Sequence, residues 1–308
     1  MSLVSHEATV NYTTDQSIKW SLAGTANGVS THSVVINMET FRVGRRSDNS
    51  RGPQPGSFSP VFKTSSVDTV DAMSRGSLAR LLGGGSLVPC YQAIYDLQTG
   101  ELAGYEFLAR CVYPGIETPD RLFHQATSVG REVELSLFCR KQAFAHCHLT
   151  PSDVPVFVNT HPIEPLLDVV LPQMRDLRQA YPHRGIVLEI HEAAHTEPGL
   201  IRELRHQLAL INVQLAFDDF GAGQTRIREM ICASADYIKF DPSLIRDLLQ
   251  VSKDQRRFFA LILGNIKSEG TITIAEGIET AEMDAVCHDL GFDLVQGYRY
   301  GRPTVMKQ

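Results

Sequence analysis

Residues 185–220 read GIVLEIHEAAHTEPGLIRELRHQLALINVQLAFDDF, two apolar runs joined by a longer amphipathic stretch. GIVLEI and VQLAFDDF have the β-branched and aromatic content of strands, and Pro198 to Leu210 between them is a helix candidate. A strand, a crossover helix and a second strand make a parallel pair. Both runs also close on acids, Glu189 in the first and Asp218-Asp219 in the second.

The pattern extends in both directions. Strand candidates are VPCYQAIYDL, LAGYEFLAR, VPVFVN, GIVLEIHE, VQLAFDDF, ADYIKFD, TITIAEG and FDLVQGY; the helix candidates between them include Glu132 to His148, Pro165 to Ala180, Ser243 to Leu249, Lys253 to Ser268 and Thr280 to Leu290. Eight strands in roughly 222 residues after Ser86 fit one closed barrel, whose usual size is on the order of 250 residues. The first two runs are joined only by Gln98-Thr99-Gly100-Glu101, too short for a parallel crossover, so they form an antiparallel hairpin. The expected fold is α/β, a TIM-like (β/α)8 barrel with one antiparallel strand.

Of the 308 residues, 29 are Lys or Arg and 35 Asp or Glu, a net charge of −6, and 43% are hydrophobic. Residues 87–308 alone carry 21 basic against 29 acidic side chains, which argues against a DNA or RNA polymer as partner. No apolar run approaches the roughly 20 residues of a membrane span, and the first residues lack a basic segment before an apolar core, so a cytoplasmic protein without membrane association is expected. Six scattered cysteines without a CxxC pair read as reduced, buried side chains.

In a barrel the C-terminal strand ends converge on one mouth. Here Glu106, Asn159, Glu189, Asp218, Asp219, Lys239, Glu276 and Gln296 all fall at or near such ends. A single acid there is usually a helix cap. Six successive ends carrying oxygen ligands or a lysine are not explained that way, and carboxylates packed together need a cation. Hard oxygen donors without Cys or His suit Mg²⁺ or Mn²⁺. The adjacent Asp218-Asp219 suggests two ions, as in enzymes that hydrolyse phosphodiesters with paired metals. His191, His195 and His206 lack a matched ligand spacing and read as solvated or packed.

In order, YQAIYDLQTGELAGYEFLAR, FVNTHP, VLEIHE, AFDDFGAG, ADYIKFD, IAEGIET and QGYRYGRP resemble the successive motifs of the EAL domain, the bacterial phosphodiesterase of cyclic di-GMP, over about residues 84–304. The resemblance implies hydrolysis of one phosphodiester bond to give linear pGpG, with two Mg²⁺ or Mn²⁺ ions and inhibition by Ca²⁺. It implies that Glu106, Asn159, Glu189 and Asp218 hold one ion, and that Asp218 with Asp219 holds the other. It assigns catalytic places to Lys239, Glu276, Glu279 and Gln296, substrate contacts to Leu108, Arg110 and Gln92, and a loop-steadying role to Glu192. It further implies a homodimer.

Two departures stand out. Phe107 occupies the centre of the Glu106-Phe107-Leu108 triplet where the family usually has alanine, and is expected to point to the other face of its strand. After Asp218-Asp219-Phe220-Gly221 the chain continues Ala222-Gly223-Gln224-Thr225-Arg226 instead of the family's hydroxyl-rich run. The alternative reading is therefore a weak or inactive EAL domain that acts as a cyclic di-GMP receptor.

Residues 1–50 form an N-terminal arm with two or three expected strands, and Trp20 to Asn49 faintly resembles the opening of a forkhead-associated domain, with Arg45 in the phosphopeptide-reading place. The arm is a candidate surface for a protein partner. Residues 51–85 are rich in Ser, Gly and Pro and read as a linker, leaving 86–308 for the barrel.

Overall fold

The computed structural model describes residues 7–12, 17–23, 33–37, 67–85, 87–191, 197–222 and 235–306. The chain divides into two compact units, residues 1–61 and 62–308. In the first, β1 (Glu7–Tyr12), β2 (Ser17–Ala23) and β3 (Ser33–Asn37) form an antiparallel sheet in the order β1-β2-β3. Strands β2 and β3 fall where alternation places them, and β1 lies ahead of that region. The segment from Phe41 to Asn49, with Arg45, is outside the described residues.

The second unit opens with α1 (Val67–Leu82), within the stretch expected to be linker. Its Ser77, Leu78 and Leu81 are buried, and Ser77 Oγ donates to the Pro114 carbonyl. Apolar anchors at helical spacing thus tie α1 to the barrel unit despite the glycine-rich sequence around it.

The barrel strands are β4 (Val88–Asp96), β5 (Leu102–Arg110), β6 (Val156–Asn159), β7 (Ile186–His191), β8 (Gln214–Phe220), β9 (Tyr237–Phe240), β10 (Ile272–Ala275) and β11 (Leu294–Val295). They pair in sequence order, and β11 pairs back onto β4, closing the ring. Every junction from β5 to β11 is parallel, whereas β4 is antiparallel to both neighbours. The reversed strand follows from the short turn after Asp96, where Asp96 Oδ1 accepts from the Gln98 and Thr99 amides. A short β12 (Thr304–Val305) adds to β4.

The crossovers carry α2 (Pro119–Ser128), α3 (Glu132–His146), α4 (Leu171–Ala180) after a π-helical turn at Leu166–Val170, α5 (Pro198–Leu210), α6 (Pro242–Gln250), α7 (Lys253–Ser268) and α8 (Ala281–Leu290). Local chemistry sets their starts. Asp241 caps α6, accepting from the Ser243 amide with Pro242 in the first turn; Ser252 and Gln255 form a capping box on α7. Asp241 is thus the ordinary strand-end cap, two residues beyond Lys239.

Apolar side chains fill two regions. One lies between strands and helices and includes Phe107, which meets Tyr91 edge to face at 5.5 Å between ring centres, so the bulky residue packs away from the barrel interior as expected. The other plugs the interior with Ile94, Phe157, Val187, Ala216, Tyr237, Ile274 and Leu294. Gly104 makes room for the plug: a Cβ there would stand 2.8 Å from Phe157. Among the described residues, Cys90, Cys111, Cys139, Cys147 and Cys287 are free and buried.

Candidate active site

The interior plug determines what lies above it. Side chains two positions apart share a strand face, so Phe157, Val187, Ala216, Tyr237, Ile274 and Leu294 place Asn159, Glu189, Asp218, Lys239, Glu276 and Gln296 on the inward face one step nearer the C-terminal mouth. On β5, Gly104 does the same for Glu106. On the reversed β4 the order inverts, and Gln92, two residues before Ile94, faces Glu106 across the β4–β5 register.

Asp218 and Asp219 would alternate faces on a regular strand. Between β8 and β9 the register runs Phe217↔Ile238 and then Phe220↔Phe240, so two residues of β8 oppose the single Lys239. This is a β-bulge, a device that re-aims side chains beside active sites. Asp219 takes up the extra length with φ of 58°, left-handed for a non-glycine residue. As a result Asp218, Asp219 and Glu276 each offer an oxygen within 4.8 Å of the others.

Lys239 is the hub of the cluster. Its Nζ lies 2.8 Å from Glu189 Oε1, 2.9 Å from Glu276 Oε1, 3.0 Å from Asp218 Oδ1 and 3.4 Å from Glu106 Oε2. Two amides brace Glu106: Asn159 Nδ2 donates to Oε1 at 2.9 Å and Gln296 Nε2 to Oε2 at 2.8 Å. Both amides thereby turn their oxygens away from Glu106. Lys239 is 1% exposed and Glu189 0%.

Four carboxylates on one ammonium leave an excess of negative charge in a largely buried site. Burial pushes the Glu189 and Glu276 carboxyls well above the ordinary range and raises Asp218, despite the attraction of Lys239. Burial alone would lower Lys239, but Asp218, Glu106, Glu189 and Glu276 outweigh it and hold the ammonium well above its usual value. Asp219 moves the other way, held low chiefly by its hydrogen bond from His191.

Raised folded-state acids bind more protons than the unfolded chain does, so they cost stability as pH rises above the ordinary carboxylate value of about 4. The depressed Asp219 changes stability with pH only below that value, where its stabilisation is lost as pH falls, and the raised Lys239 only above about 10.5, where its stabilisation is lost as pH rises. Metal-free protein is therefore expected to lose thermal stability as pH rises above about 5, and divalent ions to raise the melting temperature more at pH 9 than at pH 5. Melting curves in EDTA and in Mn²⁺ across that range test this; a metal-induced shift independent of pH would contradict it.

The donor set fits hard divalent cations. Glu189 Oε2 and Gln296 Oε1 are buried and meet no hydrogen-bond donor among the described residues, while Glu189 Oε1 and Asp218 Oδ1 meet Lys239 at ion-pair distance but outside hydrogen-bond geometry. Such oxygens have the acceptor chemistry that a hard divalent cation takes.

The structure thus unites Glu106, Asn159, Glu189, Asp218, Lys239, Glu276 and Gln296 through direct contacts, and brings Asp219 to Asp218 and Glu276. Gln92 is buried and donates to the Gly301 carbonyl at 3.0 Å, holding the C-terminal turn. Leu108 and Arg110 share the Glu106 face of β5, with the Arg110 guanidinium on the Ala109 carbonyl at 2.9 Å. Glu279 is exposed after β10 and makes none of the contacts around Lys239. Glu192 and the loop from Gly223 through Arg226 lie outside the described residues.

Two groups escape sequence reading. His191, expected to be solvated or packed, places Nε2 2.8 Å from Asp219 Oδ2. Behind β6, the buried Arg140 of α3 pairs with Glu164 and donates to the Asn159 carbonyl at 2.9 Å. Only its place four residues after Ser136 on the buried face of α3 hints at this.

Residues 75–303 match the family model described as EAL domain. The chain is 30% identical over 250 residues to the uncharacterized protein y4lL of Sinorhizobium fredii, covering 75% of this chain and 28% of that protein. It is 28% identical over 228 residues to the cyclic di-GMP phosphodiesterase PdeL of Escherichia coli, covering 70% and 62%. The Klebsiella pneumoniae BlrP1 structure, a manganese and cyclic di-GMP complex, matches with a TM-score of 0.62 at 26% identity, over 71% of this chain and 56% of that one. The chain spans less than two thirds of the length of each of these relatives. Among the described residues, no helix is long and apolar enough to cross a membrane.

Proposed function

As the chain belongs to the EAL domain family, we propose that it hydrolyses cyclic di-GMP to linear pGpG at the mouth built around Lys239, with two divalent ions, Mg²⁺ or Mn²⁺. The observation that carries this reading is the intact set of four acids, Glu106, Glu189, Asp218 and Glu276, gathered on one buried ammonium. A set tuned only to bind a nucleotide has no use for so much uncompensated charge.

Glu106, Asn159, Glu189 and Asp218 would hold one ion, and Asp218, Asp219 and Glu276 the other. The ions supply Lewis acidity, activating water and stabilising the departing 3′ oxygen. The chain's own groups do the remaining work. Asn159 and Gln296 fix the Glu106 carboxylate through their amide nitrogens. Lys239, whose ammonium the four acids hold well above its usual value in the metal-free protein, would act as a fixed cation and donor beside the reacting phosphate. Arg110, at the end of β5 on the Glu106 face, supplies a guanidinium to a substrate phosphate by releasing the Ala109 carbonyl. Leu108 and Gln92 border the same side.

The deciding experiment follows pGpG formation in Mg²⁺ or Mn²⁺ and nucleotide binding in Ca²⁺, which is expected to inhibit. Turnover by the wild type and none by Glu106→Ala is expected. Tight binding in Ca²⁺ without turnover in Mg²⁺ or Mn²⁺ would establish a receptor instead. Homodimerisation belongs to the same proposal, and full activity in a strictly monomeric sample would remove it.

A further inference from the structure

Three features of β7 and β8 converge on one carboxylate. His191, the last residue of β7, lies opposite Asp218 in the β7–β8 register, and its Nε2 stands 2.8 Å from Asp219 Oδ2. Asp219 occupies the bulge with φ of 58°. Its carboxylate also belongs to the set with Asp218 and Glu276.

The bulge decides where the Asp219 Cβ projects, but not how the carboxylate turns. The Asp219 side chain is 31% exposed, so packing does not lock it. Glu106 is braced by two amides, whereas among the described residues the Asp219 carboxylate is held by the His191 imidazole. His191 holds Oδ2, and with it the direction in which the other oxygen, Oδ1, is turned.

We propose that His191 is a positioning residue for the second cation, its Nε2–H fixing the Asp219 carboxylate in register with Asp218 and Glu276. The inference rests on the two-cation reading of the mouth. Both the Nε2–H neutral tautomer and the protonated ring supply the donor, so the role does not depend on titration of the histidine. Hydrogen-bond partners behind a metal ligand typically account for about 10–100-fold in metal affinity.

The test is a Mn²⁺ titration of the full chain, with free Mn²⁺ read by electron paramagnetic resonance, on wild type, His191→Ala and His191→Gln. The wild type is expected to bind two ions. His191→Ala keeps the first step, which reports that the Glu106, Asn159 and Glu189 side of the mouth is intact, and weakens the second about 10–100-fold. His191→Gln, whose amide can still donate to Asp219, recovers most of that loss. A second step unchanged in His191→Ala overturns the inference while leaving the two-cation site standing. Failure of glutamine to rescue a weakened second step also overturns it, because the ring would then be more than a donor. Fewer than two ions in the wild type removes the two-cation reading itself, and the inference with it.

Discussion

A Lys239→Met protein is expected to hydrolyse cyclic di-GMP about 10²–10³-fold more slowly than its parent, the usual consequence of removing one preorganised donor from a reacting site. Methionine keeps much of the length and apolar stem of lysine and removes the charge. In the parent, one ammonium touches Glu106, Glu189, Asp218 and Glu276 from a position 1% exposed. Without it, the same four acids repel one another in a site whose burial already raises Glu189, Glu276 and Asp218. Metal-free Lys239→Met should therefore lose stability with rising pH more steeply than metal-free wild type, since more of its acids must be deprotonated against burial. Divalent ions should restore much of that stability while leaving turnover low. The measurement is kcat with Mn²⁺ saturating, beside melting curves in EDTA. Turnover within tenfold of wild type, at equal metal stoichiometry, would show that Lys239 is a structural counter-ion and not part of the reaction.

The ring of strand-end groups could be read from sequence because two independent periodicities agree. Strand alternation puts Asn159, Glu189, Asp218, Lys239, Glu276 and Gln296 two residues beyond interior apolar side chains, and barrel closure brings those strand ends together. Phe107 followed the same logic onto the outer face. What alternation cannot give is Asp219. A regular strand would point it away from Asp218, and only the bulge opposite Lys239, with its left-handed backbone, turns both acids to one mouth. His191 became informative only through that bulge.

Helix α1 was hidden for a different reason. Gly76 and the polar residues around it weaken the helical signal, while Leu78 and Leu81 are too few to register as a period before their partners are known. The short α2, with buried Leu122, Gln125 and Ala126, offers a similarly sparse pattern. In both, burial against the barrel unit supplies what local propensity does not.

Arg140 is the extreme case, because a charged residue in an amphipathic helix is expected on the wet face, yet it is 1% exposed. Its guanidinium is fully engaged: it pairs with Glu164, donates through Nε to Gln173 Oε1 at 2.6 Å, and reaches Ser136 Oγ and the Asn159 carbonyl, each at 2.9 Å. Glu164 accepts in addition from Ser136 Oγ at 2.6 Å and from the His161 amide at 2.5 Å, so the pair clamps the turn that follows β6 to α3. Arg140→Met is expected to cost about 3–5 kcal/mol, because it strands a buried carboxylate, and for a domain of this size to lower the melting temperature by roughly 10 °C or more. The loss should not be symmetrical. Adding Glu164→Gln removes the stranded charge, and the double variant should be more stable than Arg140→Met alone, a coupling that a double-mutant cycle reads directly. The Asn159 carbonyl still lacks its donor in the double variant, so metal affinity at the mouth should stay below wild type even where stability recovers. Additive stability losses would mean that the two side chains act independently, and unchanged metal binding in the double variant would confine the clamp to folding.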